Sequence, residues 1–351
     1  MEYFHGGDVY RNTVPYDFSV NINPLGMPPG CMEAAKRGVE LCTRYPDWKG
    51  EELRQALAEA EGVLEEQVIL GNGAAELLYA LMFYLHPKRV LIPIPGFGEY
   101  EAAVTAAGGG CEFWRLEESC DFHLEEAFLD ALSGPTDMVI LCNPNNPDGG
   151  LVEKELLFRI AEKCEKTGIW MCVDECFLPF TEREGELTMK HCLERFPHLI
   201  VLRAFTKIYG MPGLRLGYAM AADKKMSAGI RRCLQPWNTS LPAQLAGLQA
   251  LKSREFVKRT VELVREERSF LYRKLGDMPR ELIERVYPSA ANFLLLRGRA
   301  DMYQRMLEQG FLIRDCRSYR GLERQSGRGY FRIAVRTHQE NQALLDCMSR
   351  L

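Results

Sequence analysis

The stretch "LIVLRAFTKIYGMPGLRLGYAMA" (residues 199–221) settles how the rest of the chain is read. Its two ends, 199–205 and 216–221, are short apolar runs of strand length, and the link between them carries Lys207, Gly210, Gly213 and Arg215. A lone lysine at the tip of a strand, with an arginine eight residues further on, is either a pair of surface charges or part of a site. The surroundings decide between the two.

Working outward, the runs "QVIL" (67–70), "RVLIPI" (89–94), "CEFWRL" (111–116), "DMVILCN" (137–143) and "WMCVDECF" (170–177) alternate with helical patterns. Strands joined by crossover helices predict an α/β fold built on a mainly parallel, seven-stranded sheet. In "AAELLYALMFYL", Leu77, Leu78, Leu81, Met82 and Leu85 recur at helical spacing and predict one buried stripe. Residues 223–278 read as mostly helical. From 279 the rhythm changes to "ERVYPS", "NFLLLR", "FLIRDC" and "YFRIAVR" among short helices, which predicts a smaller C-terminal α+β domain (279–351) beside a large domain (46–278). The first 45 residues, rich in Pro, Gly and Asn, are expected to supply no hydrophobic face of their own and to lie against the small domain or a partner subunit.

Of the 351 residues 46% are hydrophobic, ample for a large core, and the 44 basic and 48 acidic residues are interspersed with a net charge of -4. Such a balance gives no footprint for nucleic acid or an anionic membrane, and no apolar run approaches the ~20 residues that cross a bilayer. The expected ligand is small. The 12 cysteines are scattered singly, and the opening "MEYFHGG" has no basic segment followed by an apolar one, so a cytoplasmic protein with reduced cysteines is expected. "CVDEC" (172–176) and "CDFH" (120–123) lack a second ligand pair at zinc spacing, so no metal is expected and these cysteines read as core.

In a parallel sheet the ligand lies beyond the carboxyl ends of the strands. In "GNGAAE" (71–76), Gly71 and Gly73 permit close backbone approach, and a helix beginning at Ala74 would aim its amides at an anion; a plain glycine turn is the alternative. "NPNNPDGG" (143–150) is a turn that would present Asn146 as a rigid donor, or merely a loop. In "VDECF" the carboxylate of Asp174, among Phe177, Leu178 and Phe180, would be desolvated and in need of a cationic or donating partner. With Thr206, Lys207 and Arg215 at a fourth end, the set provides a Schiff-base lysine, a carboxylate for a protonated pyridine nitrogen and a phosphate site. Pyridoxal phosphate requires all three.

The chain also resembles the fold type I pyridoxal phosphate enzymes of the class I and II aminotransferase group over essentially its whole length. The shared motifs are "RYPD" (44–47), "GNGAAE", "PGFGEY" (95–100), "NPNNPDG", "VDECF", "FTKIYGMPGLRLGY" and "YFRIAVR" (330–336). Within the group, "HGG" (5–7), "DFSVNINPLG" (17–26), "FLIRDC" (311–316) and "YFRIAVR" resemble the threonine-phosphate decarboxylases of cobalamin synthesis most, with histidinol-phosphate aminotransferases next. The resemblance implies that Lys207 carries the cofactor, Asp174 pairs with its ring nitrogen, Asn146 donates to its phenolic oxygen and Phe97 stacks on its ring. It further implies that Gly73, Ala74, Ala75, Thr206 and Arg215 hold its phosphate, joined by Tyr45 from the other subunit of a homodimer. A phosphorylated amino-acid substrate would be held by His5, Gly6, Asn21, Asn146, Arg314 and Arg332, with Arg332 on the carboxylate. Phe177 stands where the group's transaminases have a tyrosine, which removes a donor to the phenolic oxygen and favours decarboxylation; Ala204 and Ala75 stand where hydroxyl residues are usual.

Overall fold

The computed structural model describes residues 5–324 and 326–351. Strand β1 (Tyr16–Asp17) comes first and belongs with the small sheet below. Seven strands then build one sheet: β2 (Val68–Gly71), β3 (Arg89–Ile94), β4 (Gly110–Arg115), β5 (Met138–Cys142), β6 (Trp170–Asp174), β7 (Leu199–Ala204) and β8 (Gly217–Ala221), in the order β2-β8-β7-β6-β5-β3-β4. Strand β8 runs antiparallel to β2 and β7, and the remaining neighbours are parallel. Every residue of β5, β7 and β8 is buried, as it must be in a sheet covered on both faces. The alternation of side chains sorts the core into two layers. Val139, Leu141, Val173 and Val201 pack on one face, and Ile140, Cys172, Ile200 and Leu202 on the other.

One expected strand ends early, and one expected buried stripe is shorter by a residue. The run 170–177 leaves the sheet after Asp174, because the Cys176 amide turns back to donate to Asp174 Oδ1 at 3.0 Å. In the helix Ala74–Leu85, Leu77, Leu78, Leu81 and Met82 are buried but Leu85 is only half-buried, since the chain turns left-handed at His86 (φ 46°). Of the cysteines read as core, Cys172 and Cys176 are buried and Cys120 is half-buried, while Cys42 and Cys233 are exposed.

The 23-residue helix Arg254–Gly276 leads into the smaller part of the molecule. There β9 (Ile283–Val286), β10 (Phe293–Arg299), β12 (Arg314–Asp315) and β13 (Arg328–Ala334) form an antiparallel sheet in the order β12-β13-β10-β9, and β11 (Phe311–Leu312) pairs in parallel with β1. Past β1, the amide of Phe18 donates to Leu312 O (2.8 Å) and the amide of Ala334 donates to Phe18 O (2.9 Å), so the N-terminal segment is stitched to this sheet. Contrary to expectation, that segment does have an apolar face. Helix Pro29–Glu40 buries Cys31, Ala34, Ala35 and Gly38 and packs on the helix Leu241–Ala250. Small residues make the face; a Cβ on Gly38 would lie 2.5 Å from Pro242 Cα, so the helices touch backbone to backbone and no run of large side chains marks the contact.

Among the described residues no helix is long and apolar enough to cross a membrane. Among them, too, no three or more His, Cys, Asp or Glu side chains are grouped so as to hold a metal ion.

Candidate active site

The ends of β6 and β7, the turn after β5 and the start of the helix Ala74–Leu85 converge on a cavity of about 270 Å³, closed on its far side by residues of the small sheet and the N-terminal segment. At one end stands a cradle. Ala74 and Ala75 open a helix whose first amides have no partner within the helix, and Arg215, in the left-handed region at φ 59°, lies beside them. The packing there is tight. A Cβ on Gly73 would sit 2.4 Å from Arg215 Nη2, and one on Gly217 would sit 2.6 Å from the Ala74 amide nitrogen. Helix amides, a positive dipole end and a guanidinium around a space kept open by two glycines suit a phosphate group. Thr206, 5% exposed, lines the same cavity.

Asp174 ends β6, and Lys207 follows the neighbouring β7 on the short helix Phe205–Ile208. Burial, and next the positive charge of Arg332, lower the Lys207 amine to about 8, so far more of it is neutral near physiological pH than for a surface lysine. Asp174, 9% exposed, accepts from the Tyr100 hydroxyl at 2.7 Å on Oδ2 and from the Cys176 amide on Oδ1, and it forms no ion pair among the described residues. Burial first, and then the adjacent Asp174 charge, push the Tyr100 phenol well above its ordinary range, which keeps it a donor. Phe97 meets Tyr100 edge to face, with centroids 5.6 Å apart, and Phe177 packs edge-on against Phe293 at 5.0 Å. A buried amine, a carboxylate held by neutral donors, a flanking aromatic ring and an anion cradle fit pyridoxal phosphate.

The far wall carries the arginines. Arg314 and Arg332 are directly opposed across β12 and β13, and both are buried. Arg332 donates through Nη1 to Asn146 Oδ1 and to the Tyr319 hydroxyl (3.0 Å), and through Nη2 to Ser19 O (3.0 Å). Its buried Nε has no partner, and no carboxylate among the described residues pairs with it. Three of five N–H groups are thus engaged, which leaves donors on Nε and Nη2 for two oxygens of a ligand. Arg314 Nη2 donates to Ser318 Oγ at 2.9 Å. Asn21 is buried with Oδ1 unpartnered. His5 and Gly6 cover the cavity from the N-terminal segment, where His5 Nε2 lies 3.2 Å from Glu99 and the Gly7 amide donates to Ser19 Oγ at 2.7 Å. A Cβ on Gly6 would lie 2.3 Å from Ser19 O.

The structure therefore brings together His5, Gly6, Asn21, Ala74, Ala75, Phe97, Asn146, Asp174, Thr206, Lys207, Arg215, Arg314 and Arg332 around one cavity, with Gly73 behind its cradle. Tyr45 stands apart. It is 77% exposed, outside this cavity, and its ring lies 4.7 Å from that of the exposed Trp237. Sequence reasoning overlooks Tyr100, Ser318 and Tyr319. The first lies inside the quoted "PGFGEY", three residues past Phe97 and in the first turn of the helix Glu99–Ala106, where its amide donates to Phe97 O at 3.2 Å, and its nearness to Phe97 could have drawn attention to it. Ser318 and Tyr319 sit in an irregular loop without periodicity, and no local signal marks them.

Comparison with known proteins agrees with this geometry. The family model described as aminotransferase class I and II matches residues 14–347. The chain is 39% identical over 332 residues to the threonine-phosphate decarboxylase of Salmonella typhimurium, covering 94% of this chain and 89% of that protein. The solved histidinol-phosphate aminotransferase from Clostridium acetobutylicum superposes with a TM-score of 0.88 at 28% identity, over 95% of this chain and 98% of that one. The histidinol-phosphate aminotransferase from Sinorhizobium meliloti, solved in complex with pyridoxal-5'-phosphate, shares the fold with a TM-score of 0.86 at 20% identity, over 99% of this chain and 95% of that one.

Proposed function

Because the chain belongs to the aminotransferase class I and II family, whose enzymes depend on pyridoxal phosphate, we propose that it decarboxylates L-threonine O-3-phosphate to (R)-1-aminopropan-2-yl phosphate, a step of cobalamin synthesis. The observation that carries this reading is Arg332. A guanidinium that is 6% exposed and bonded only to neutral groups needs an anion, and its Nε and Nη2 donors suit a carboxylate. Arg314, beside it, supplies a second positive charge within reach of His5, Gly6 and Asn21, so the far wall suits a substrate carrying both a carboxylate and a phosphate.

Pyridoxal phosphate, when bound, supplies the electron sink. Ala74, Ala75, Thr206 and Arg215 would hold its phosphate, and Phe97 would flank its ring. Asp174, braced by Tyr100 and the Cys176 amide, would hold a proton at the ring nitrogen. Asn146, whose Oδ1 is taken by Arg332 and Tyr319, would offer Nδ2 to the phenolic oxygen. Phe177 offers that oxygen no second donor. The reaction breaks the bond between the α carbon and the carboxylate, releases carbon dioxide and returns one proton to the same carbon. Arg332 and Arg314 would set the angle of the bond that breaks, and Lys207 Nζ, whose amine burial lowers to about 8, would carry the returning proton. The exposed Tyr45 points to a homodimer in which it completes the partner's phosphate cradle. Unpaired cysteines throughout suit a cytoplasmic enzyme.

The second reading, a histidinol-phosphate-type aminotransferase, is supported by the likeness to the Clostridium structure and uses the same cofactor residues. A product assay with threonine phosphate, serine phosphate and histidinol phosphate separates the two. The expected result is carbon dioxide from threonine phosphate with no 2-oxo acid present. Turnover that requires a 2-oxo acid and releases no carbon dioxide overturns the decarboxylase.

A further inference from the structure

Asn146, Tyr319 and Arg332 close a ring of hydrogen bonds. Arg332 Nη1 donates to Asn146 Oδ1 and to the Tyr319 oxygen (3.0 Å), and the Tyr319 hydroxyl in turn donates to the same Asn146 Oδ1 at 3.1 Å. Two donors on one oxygen fix which way round the amide lies, so Nδ2 is the end left to face the cavity. The two donors differ in what a substrate does to them. A carboxylate arriving at Arg332 forms charge-assisted bonds stronger than those the guanidinium makes to neutral groups, and so pulls it toward the ligand. If Arg332 were the sole donor to Asn146, that pull would leave a buried carbonyl oxygen unsatisfied and free the amide to turn.

Tyr319 is built not to follow the guanidinium. Its ring packs with Leu116, Leu295 and Leu322, its amide donates to Cys316 O at 2.8 Å, and the Arg314 guanidinium lies over its face at 5.6 Å. We propose that Tyr319 is a positioning residue whose hydroxyl keeps the Asn146 amide in one orientation whether or not Arg332 is engaged by a carboxylate. Tyr319 touches both the residue that meets the cofactor and the residue that meets the substrate, and its ring anchors it to neither. The inference rests on the reading above in one respect, that Asn146 faces the phenolic oxygen and Arg332 the carboxylate.

The test uses the holoenzyme in four forms: unaltered, Tyr319→Phe, Asn146→Ala and the double variant. Tyr319→Phe removes one oxygen and keeps the packed ring, and circular dichroism verifies the fold. With Arg332 engaged by an unreactive carboxylate, threonine phosphate lacking its amine, the pH midpoint of the bound cofactor's absorbance is expected to move in Tyr319→Phe by roughly half a pH unit, in the same direction as in Asn146→Ala. The double variant should move no further than Asn146→Ala alone, because Tyr319 acts through that amide. With substrate, Tyr319→Phe should lose about tenfold in kcat/KM. An unmoved midpoint in Tyr319→Phe beside a moved one in Asn146→Ala, or shifts that add in the double variant, overturns the role of Tyr319. An unmoved midpoint in Asn146→Ala overturns the placement of Asn146 itself, and that outcome is separate from any result on carbon dioxide release.

Discussion

Arg203 and Arg332 are both buried arginines, 2% and 6% exposed, and they differ in company. Arg203 points to the sheet face away from the cavity, while its neighbours Leu202 and Ala204 line the cavity. Its Nε donates to Glu175 Oε2 at 2.9 Å, its Nη1 to Glu184 at 2.6 Å and its Nη2 to Thr188 at 3.0 Å. Glu175, fully buried, also accepts from the Met189 amide at 2.7 Å. Every charge in that region has its counter-charge within the chain. Among the described residues Arg332 has only neutral acceptors, and two of its N–H groups, on Nε and Nη2, have none. The same contrast separates two consecutive residues, since Glu175 is neutralised by an arginine and Asp174 is held by a phenol and an amide. A buried charge closed by the chain holds the fold together; one left open is kept for a ligand.

The largest effect is expected where that contrast is most direct. Arg332→Ala should lower kcat/KM for the amino-acid phosphate by about 10²- to 10³-fold, as loss of a buried anion partner does, with the denaturation midpoint nearly unchanged because no carboxylate is stranded. Arg203→Ala should do the reverse, costing about 3–5 kcal/mol of stability by leaving Glu175 buried and unpaired. Urea denaturation and steady-state kinetics on both proteins measure the difference. An Arg332→Ala protein as unstable as Arg203→Ala breaks the distinction.

Lys207 gives a smaller, pH-borne effect. Its lowered pKa means that protonation becomes harder in the folded protein, so the neutral amine gains as pH rises through about 8 and is saturated well before the range of an ordinary lysine near 10.4. The rate at which apoprotein takes up pyridoxal phosphate should therefore be about a tenth of its plateau at pH 7 and level off above pH 9. A rate still climbing steeply past pH 9 would show an amine no different from a surface lysine. Lys207→Ala should remove the pH-dependent absorbance band altogether.

How much of this was legible in advance follows from where each group sits. Lys207, Asp174, Asn146 and the cradle around Ala74 and Arg215 lie at strand ends, and strands announce themselves as apolar runs, so the large-domain wall could be read from pattern alone. The far wall could not. Arg314 lies on a two-residue strand and Arg332 in the middle of β13, and nothing in their spacing says that β12 and β13 set them side by side; they were reached through family resemblance. Ser318 and Tyr319 escaped both routes, because an irregular loop has no period. The helix Pro29–Glu40 was missed for another reason: its face is made of cysteine, alanine and glycine, which pack by closeness rather than bulk.

The smallest effect sharpens the contrast between Asp174 and Glu175. Tyr100→Phe removes one neutral donor from Asp174 and leaves the Cys176 amide in place, so the carboxylate is held on one oxygen and is free to turn on the other. A carboxylate held on one side only would face the cofactor's ring nitrogen less well, and kcat should fall about 5- to 10-fold, roughly 1 kcal/mol, since the Cys176 amide keeps much of the orientation. The Michaelis constant should hold, because Tyr100 reaches no substrate anchor. The buried Tyr100 phenol is pushed well above its ordinary range, so it remains a donor across the working pH range and the variant's pH profile should keep its shape while dropping in height. Unchanged turnover would mean that the Cys176 amide alone fixes Asp174, and a raised Michaelis constant would place Tyr100 on the substrate side of the cavity.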